Sequence, residues 1–215
     1  MDTIHNILRF SIDITVTEDA LLNVIRKLPN GKAPGPDGIP NEVWKMILET
    51  VSKELAKVIT GILRSGELPE SFKESITVVL RKEKRKDYLL PGSYRPIVYK
   101  NTIAKIVEKV IADGITQEAE ERGLLPWNQM GARKNRSTLS ALELLTGSIQ
   151  TAWAAKKKVV SVLGLDIAGA FDNVSHERLL WVLERKGFPD WIIRIVRSFL
   201  IKRRTRITFS DFKGQ

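Results

Sequence analysis

Apolar residues recur along most of the chain at the three- and four-residue spacing that is typical of amphipathic helices. In the first such stripe, 21–28, the preceding Thr15 and Glu18 fit a capping box, which predicts where a first helix begins. A longer stripe over 43–62 predicts a single second helix with Pro40 in its first turn. Later stripes predict four more helices, which begin near Asn101, after Ser137, at Ser175 and near Trp191.

Two segments have the pattern of strands instead. The β-branched run 76–80 predicts a strand that leads through a basic segment and a Pro-Gly turn to a return strand at 95–98, so a hairpin with a basic tip is expected. The run 158–167 is apolar and ends at an acid, which favours a buried central strand. Together the elements predict an α+β fold, helix-rich with a short antiparallel sheet.

Charge is the strongest compositional signal. The 215 residues include 35 Lys and Arg against 25 Asp and Glu, a formal net charge of +10. Such an excess indicates nucleic acid or an anionic membrane surface as a partner, although a lysine-rich solvated surface is the plain alternative. No apolar stretch approaches the ~20 residues of a membrane span, and no signal peptide is evident, so we expect an intracellular protein of the nucleus or cytoplasm with no membrane partner.

The same composition restricts the metals that the chain can hold. The absence of cysteine excludes disulfides and thiolate metal sites, and two histidines make a histidine-built zinc site implausible. A metal here would be a hard cation on carboxylates. Asp166, at the end of the predicted buried strand and beside small residues, is the candidate Mg²⁺ ligand, with strand termination as an equally good interpretation. For Asp172, capping of the next helix is favoured over metal binding.

Cations cluster in three other places. The hairpin is a candidate phosphate-binding segment, and within it Arg95 is the best candidate because Tyr94 and Pro96 hold it in a structured position. In the Gly- and Pro-rich loop 31–40, only Lys32 is favoured as a nucleic-acid contact. The segment 129–138 places cations before a helix N-terminus, where a template phosphate and simple solvation are equally good interpretations. The hairpin cations are Arg81, Lys82, Lys84, Arg85, Lys86 and Arg95.

Four strings occur in an order and spacing that closely resemble the reverse transcriptases of non-LTR (LINE-like) retrotransposons. They are GKAPGPDGIPNEVWK, SYRPIVYKNTIAKIVEKVIA, NQMGARKNRSTLSALELL and LDIAGAFDNVSHERLL. The resemblance implies a right-hand polymerase fold, with fingers over 1–157, a basic hairpin near 76–98, and an incomplete palm over 158–215. It also implies the activity of an RNA-directed DNA polymerase, which adds dNTPs to a DNA primer on an RNA template with two Mg²⁺ ions.

Residue roles follow from the resemblance position by position. Asp166 is similar to the first catalytic aspartate of the palm, with the backbone carbonyl of Ile167 as a further metal ligand. Phe171 resembles the gate beneath the sugar of the incoming nucleotide. The residues implied to hold the triphosphate are Arg95 and either Arg81 or Lys82. The implied nucleic-acid contacts are Lys32, Lys84, Arg85, Lys86, Arg133 and Arg136.

The chain also departs from the family pattern. Tyr99 and Lys100 stand where apolar residues usually follow Arg-Pro-Ile, and the Gly-Ile-Pro-Gln-Gly-Ser-Pro and Tyr-Ala-Asp-Asp strings do not occur in the 215 residues. One palm carboxylate cannot hold two metal ions, so these residues alone are expected to be inactive, with exposed apolar faces near 159–165. A non-catalytic nucleic-acid-binding remnant or domesticated module remains the alternative, and an unrelated Mg²⁺ phosphotransferase is a weaker one.

Overall fold

The computed structural model describes residues 14–84, 87–155 and 159–209, and within them helices predominate over one small sheet. The strands are β1 (Glu74–Arg81), β2 (Tyr94–Tyr99) and β3 (Arg204–Phe209). The helices are α1 (Glu18–Arg26), α2 (Asn41–Met46), α3 (Leu48–Ser65), α4 (Thr102–Glu121), α5 (Thr138–Ala154), α6 (His176–Arg185) and α7 (Asp190–Leu200). The predicted α+β class is confirmed. No helix among the described residues is long and apolar enough to cross a membrane.

The main hydrophobic core lies where α1, α3, α4 and α7 meet. Ile25, Ile59, Ile106 and Ile195 come from these four helices, and each is completely buried. They occupy the apolar stripes that the sequence showed, so burial of those stripes is what holds the four helices together. A smaller cluster around Phe188 packs α6 and α7 against the end of α4.

Helix boundaries differ from the predictions at two places. Thr17, not Thr15, caps α1 by accepting a hydrogen bond from the backbone of Ala20, and Glu18 pairs instead with the buried Ser52 of α3. The predicted single helix from Pro40 is two helices, because the chain bends at Ile47. The predicted end was correct: Gly66 closes α3 at φ +70°, a conformation that costs glycine little.

The sheet has the order β2-β1-β3 and is mixed, not antiparallel as predicted. β1 and β2 form the expected antiparallel hairpin, whereas β3 lies parallel to β1. The parallel pair arises because the long connection through the helices returns β3 to the free edge of β1 in the same direction. Pro96 is accommodated because β2 is an edge strand, where a missing N–H breaks no ladder.

The predicted buried central strand at 158–167 was wrong. Residue 158 lies outside the described residues, and 159–167 pair with no strand of the described chain. Val159 is 93% exposed and Leu165 84% exposed, so the expectation of uncovered apolar residues here is confirmed. A strand needs a neighbour for its N–H and C=O groups, and apolar composition alone does not provide one.

Helix α5 shares this exposure. None of its seventeen described residues is buried, and Leu139, Leu142 and Trp153 face solvent. The chain therefore has a packed helical region and, over the described residues 138–155 and 159–174, an apolar region in which no residue is buried, which we call the uncovered region.

Candidate nucleotide and nucleic-acid site

The β1–β2 hairpin sorts its arginines onto two faces. Leu80 pairs with Arg95, and Arg81 pairs with Tyr94. Side chains of directly opposed residues share a face, and successive residues alternate, so Arg95 and Arg81 point to opposite sides of the sheet. Lys82 continues the ladder by donating its backbone N–H to Ser93 at 2.8 Å, which by the same alternation puts it on the face of Arg95. The register thus puts Lys82 and Arg95 on one face of the hairpin and Arg81 on the other.

The tip of the hairpin is held by its own side chains. The Tyr88 hydroxyl donates to the Lys82 carbonyl at 2.9 Å, and the Tyr94 hydroxyl donates to the Tyr88 carbonyl at 2.9 Å. The Arg81 guanidinium lies over the Tyr88 ring, 5.1 Å from its centroid. The two hydroxyl hydrogen bonds hold the backbone that carries the basic residues, and the sequence pattern gave no indication of them.

The cations of the tip are placed differently from one another. The Lys82 amine donates to the Gly92 carbonyl at 2.9 Å, so in this structure it bridges the turn and would have to release that carbonyl to meet a phosphate. Lys84 is exposed, with φ +58°. The Arg95 side chain is exposed and makes no hydrogen bond or ion pair within the described residues. Arg85 and Lys86 lie outside the described residues.

The loop 31–40 packs against the junction of β2 and α4. An added Cβ on Gly35 would come within 2.5 Å of the Asn101 backbone nitrogen, so only glycine fits this approach. The Asp37 N–H donates to the Asn101 side chain at 3.1 Å, and the buried Thr102 hydroxyl donates to Asn41 at 3.0 Å. Lys32 is exposed on this anchored loop.

Lys100, one of the departures from the family pattern, has a structural partner. Its amine contacts both carboxylate oxygens of Glu108 in α4, at 2.8 and 2.6 Å, and lies 5.8 Å from the centroid of the Phe199 ring. Arg203 stacks on the same ring at 4.3 Å and approaches Glu108 at 3.8 Å. The cluster ties the end of β2 to α4 and α7, so the charge that replaces an apolar residue is compensated.

The Arg133 guanidinium forms hydrogen bonds within the chain. Its Nε donates to Glu120 at 2.8 Å and its Nη2 to the second oxygen of that carboxylate at 2.5 Å, while Nη1 donates to the Pro126 carbonyl at 2.7 Å. The hydrogen bonds from Arg133 lower the pKa of the Glu120 carboxyl and raise the pKa of Arg133. The guanidinium is taken up by acceptors of the chain and holds the loop onto α4. Of the two predicted template contacts, Arg136 is the exposed one.

Asp166, Ile167 and Phe171 lie together on the uncovered segment. Within the described residues, the Asp166 carboxylate makes no hydrogen bond and no ion pair. Phe171 is 95% exposed at a turn over 168–173, in which Gly169 has φ +60° and its carbonyl accepts from Asn173 at 3.0 Å. The Phe171 ring and the Asp166 carboxylate are both exposed to solvent.

The prediction that Asp172 caps the following helix was wrong. Ser175 is the cap of α6, and its hydroxyl accepts a hydrogen bond from the backbone of Arg178 at 3.3 Å. Asp172 lies in the preceding turn, too early in the chain to reach the first free N–H groups of the helix.

The oxygen atoms of Asp166 and of the Ile167 carbonyl are suitable ligands for a hard divalent cation, but they are too few to form a complete site. A carboxylate and a backbone carbonyl are oxygen ligands of the kind that Mg²⁺ prefers. No group of three or more acidic or histidine side chains that could hold a metal occurs among the described residues. The described residues therefore do not by themselves form a complete two-metal site.

Comparison with known proteins identifies the family of the chain. Residues 80–214 match the family described as "Reverse transcriptase (RNA-dependent DNA polymerase)". The chain is 30% identical over 209 residues to the probable RNA-directed DNA polymerase from transposon X-element of Drosophila melanogaster, which covers 97% of the chain and 23% of that protein.

Two further Drosophila melanogaster proteins are similar to the chain to about the same degree. The probable RNA-directed DNA polymerase from transposon BS is 29% identical over 95% of the chain and 22% of its own length, and the RNA-directed DNA polymerase from mobile element jockey is 28% identical over 93% and 21%. The chain thus spans between a fifth and a quarter of the length of these relatives. It belongs to the reverse transcriptase (RNA-dependent DNA polymerase) family, among relatives from non-LTR retrotransposons.

Proposed function

We propose that the chain is part of an RNA-directed DNA polymerase with a right-hand fold, which adds deoxynucleotides to the 3′-hydroxyl of a DNA primer on an RNA template. The observation that carries the proposal is the exposed Asp166 carboxylate, unpaired within the described residues, inside the segment that matches the family. A carboxylate without a protein partner is available to a metal ion, and reverse transcriptases generally use divalent metal ions.

In this proposal Asp166 and the Ile167 carbonyl are oxygen ligands of a divalent ion, which we expect to be Mg²⁺. When bound, such an ion neutralises charge on the nucleotide phosphates and on the attacking oxygen. Phe171, exposed five residues beyond Asp166, is proposed to lie under the sugar of the incoming nucleotide. A bulky ring there excludes a 2′-hydroxyl and so selects deoxynucleotides.

The triphosphate is assigned to the face of the hairpin that carries Arg95 and Lys82. The alternation of side chains favours this pair over Arg95 with Arg81, which had remained open. A planar guanidinium with free N–H groups suits phosphate oxygens, and Lys82 adds a second charge once it leaves the Gly92 carbonyl. Nucleic-acid contacts are proposed for Lys32, Lys84 and Arg136, which are exposed.

Primer extension tests the proposal, with a longer polymerase that contains this chain. We expect Asp166→Asn, which keeps the size of the side chain, to lower kcat by about a thousandfold or more, because ligand loss removes transition-state stabilisation. Primer–template affinity should remain unchanged. Retention of near-normal kcat by Asp166→Asn would remove Asp166 from the reaction.

The same assay separates the two faces of the hairpin. Arg95→Gln is expected to raise KM for dNTP by about tenfold, consistent with the loss of one charge-assisted hydrogen bond to phosphate. Arg81→Gln, on the other face, is the matched control and should leave KM within about twofold. An equal rise in both variants would contradict the assignment by face.

A second candidate function rests on the exposed cations Lys32, Lys84 and Arg136. In that case the chain binds nucleic acid without catalysis, as a remnant or a domesticated module. Salt-dependent RNA binding without any synthesis by the longer protein would support this alternative.

A further inference from the structure

Helix α6 carries an aromatic and two cations on the side away from the core. Arg178, Trp181 and Arg185 are three and four residues apart, so they lie on one face of the helix. The opposite face, with Leu180 and Leu183, packs against the small cluster around Phe188. The three residues form a surface that we name the α6 face, and helix packing does not account for it.

The two guanidiniums of the α6 face stack on the same ring. The Cζ atom of Arg178 is 3.9 Å from the Trp181 centroid, and that of Arg185 is 4.9 Å from it. The ring remains 39% exposed. Neither arginine makes an ion pair within the described residues, whereas Arg197 of the neighbouring α7 approaches Glu184 at 3.9 Å.

This arrangement has consequences for binding. A cation–π contact holds each guanidinium at the ring, which reduces the side-chain entropy that it would lose on binding a ligand. Stacking uses the flat face of the guanidinium and leaves its N–H edges free for acceptors. Two unpaired positive charges fixed on one exposed aromatic therefore constitute a preorganised anion-binding surface.

We propose that the α6 face binds the phosphodiester backbone of single-stranded nucleic acid, at a site separate from the nucleotide site. Phosphate oxygens match the fork of N–H groups that each arginine presents, and unpaired bases can stack on the exposed indole and guanidinium groups. The proposal rests on the proposed function for the nature of the ligand. None of the residues assigned to the nucleotide or to the template lies on α6.

The test is equilibrium binding of a labelled single-stranded RNA oligonucleotide to the full chain, without dNTP or metal, at several salt concentrations. Each phosphate contact on a single strand contributes about 0.7 to the slope of log affinity against log salt. Arg178→Gln with Arg185→Gln should therefore lower the slope by about 1.4. The matched control is Lys53→Gln with Lys57→Gln, which removes two exposed charges from α3 and should change the slope by less than half as much.

Two further variants separate the contributions of the Trp181 ring and of the guanidinium shape from that of positive charge. Trp181→Leu keeps both arginines, so the salt slope should persist while affinity falls about fivefold or more through lost stacking and orientation. Arg178→Lys with Arg185→Lys should likewise keep the slope but lose affinity, because a lysine ammonium lacks the planar fork. Circular dichroism and thermal melts check that the variants fold like the parent.

The outcomes distinguish the two proposals. RNA binding that all α6 variants retain would overturn the α6 face and leave the proposed function standing. Absence of RNA binding by the parent chain at any salt would overturn the α6 face, whereas the proposed function is decided separately by primer extension with the longer polymerase. Tighter binding of poly-glutamate than of RNA, with the same dependence on Arg178 and Arg185, would assign the α6 face to an acidic protein and also overturn the proposal.

Discussion

The packed helical region and the uncovered region, 138–155 and 159–174, both contain many apolar residues but differ in how far those residues are buried. Ile106 and Ile195 are completely buried where four helices meet, whereas Leu163 is 81% exposed on a segment without a strand partner. The residues proposed for metal and sugar, Asp166 and Phe171, lie in the uncovered region. The triphosphate candidate Arg95 is on the hairpin, whose tip the chain itself holds.

The difference shows that the two halves of the proposed site depend on different things. The hairpin and the loop 31–40 are positioned by contacts within the chain, such as those of Gly35 and Tyr88. The Asp166 segment has no such support among the described residues. We infer that its conformation depends on contacts outside the described residues. Matched substitutions in the packed region and in the Asp166 segment test this inference.

Truncation of core residues should give the largest effect. We expect Ile106→Ala to lower the free energy of unfolding by about 2–5 kcal/mol, because it leaves a cavity in the α1–α3–α4–α7 core. Leu163→Ala, in the uncovered segment, should change it by less than about 0.5 kcal/mol. Urea denaturation of the chain followed by circular dichroism measures both. Similar losses in the two variants would mean that the segment is buried in solution.

Glycine substitutions sharpen the same contrast. Gly35→Ala should cost about 1–3 kcal/mol, because the new methyl group meets the backbone at Lys100 and Asn101. The control Gly164→Ala lies in the uncovered segment, where an added Cβ meets nothing within 4 Å. A neutral Gly35→Ala would show that the loop 31–40 is not seated on the β2–α4 junction.

Helix propensity offers a smaller effect of opposite sign. Gly61 of α3 and Gly147 of α5 both have open space at Cβ, and each replacement by alanine favours its helix by about 1 kcal/mol. Gly61→Ala should raise the stability of the whole fold, since α3 is part of the core. Gly147→Ala should raise only helical content, because α5 has no buried residue. A rise in the unfolding midpoint from Gly147→Ala would show that α5 is packed.

The smallest effect concerns acid stability. The Glu120 pKa is lowered from its ordinary value of 4.5 by hydrogen bonds from Arg133. A carboxyl group whose folded pKa is depressed contributes stability above its unfolded pKa and loses it as pH falls through the folded pKa. The stability difference between the parent and Glu120→Gln should therefore shrink below about pH 4.5. A difference that stays constant from pH 6 to pH 3 would contradict this pairing.

Local signals made much of the fold predictable. The apolar stripes, the Ser137 cap and the β-branched run at 76–80 predicted helices and the hairpin, since each signal acts within a few residues. The pairing of Arg133 with Glu120, thirteen residues away, could not be predicted because nothing in either neighbourhood specifies it. The sequence showed only that α4, the helix before Arg133, contains acidic residues, of which Glu120 is one.

The prediction of a strand at 158–167 was wrong for a related reason. Apolar composition favours a strand, but the strand forms only when a neighbour completes its ladder, and that neighbour is not specified locally. Asp166 and Arg95 were candidates from the residues themselves, whereas Phe171 came from the family strings alone, and the roles of all three remain predictions. The separation of Arg95 from Arg81 required the register of the hairpin.

Amide hydrogen exchange of residues 159–167 tests the central claim most directly, measured in this chain and in a longer polymerase that contains it. The account predicts exchange within seconds in the chain, because these N–H groups have no strand partner among the described residues, and protection by several orders of magnitude in the longer protein. Protection already in the chain, or rapid exchange in both proteins, would contradict it.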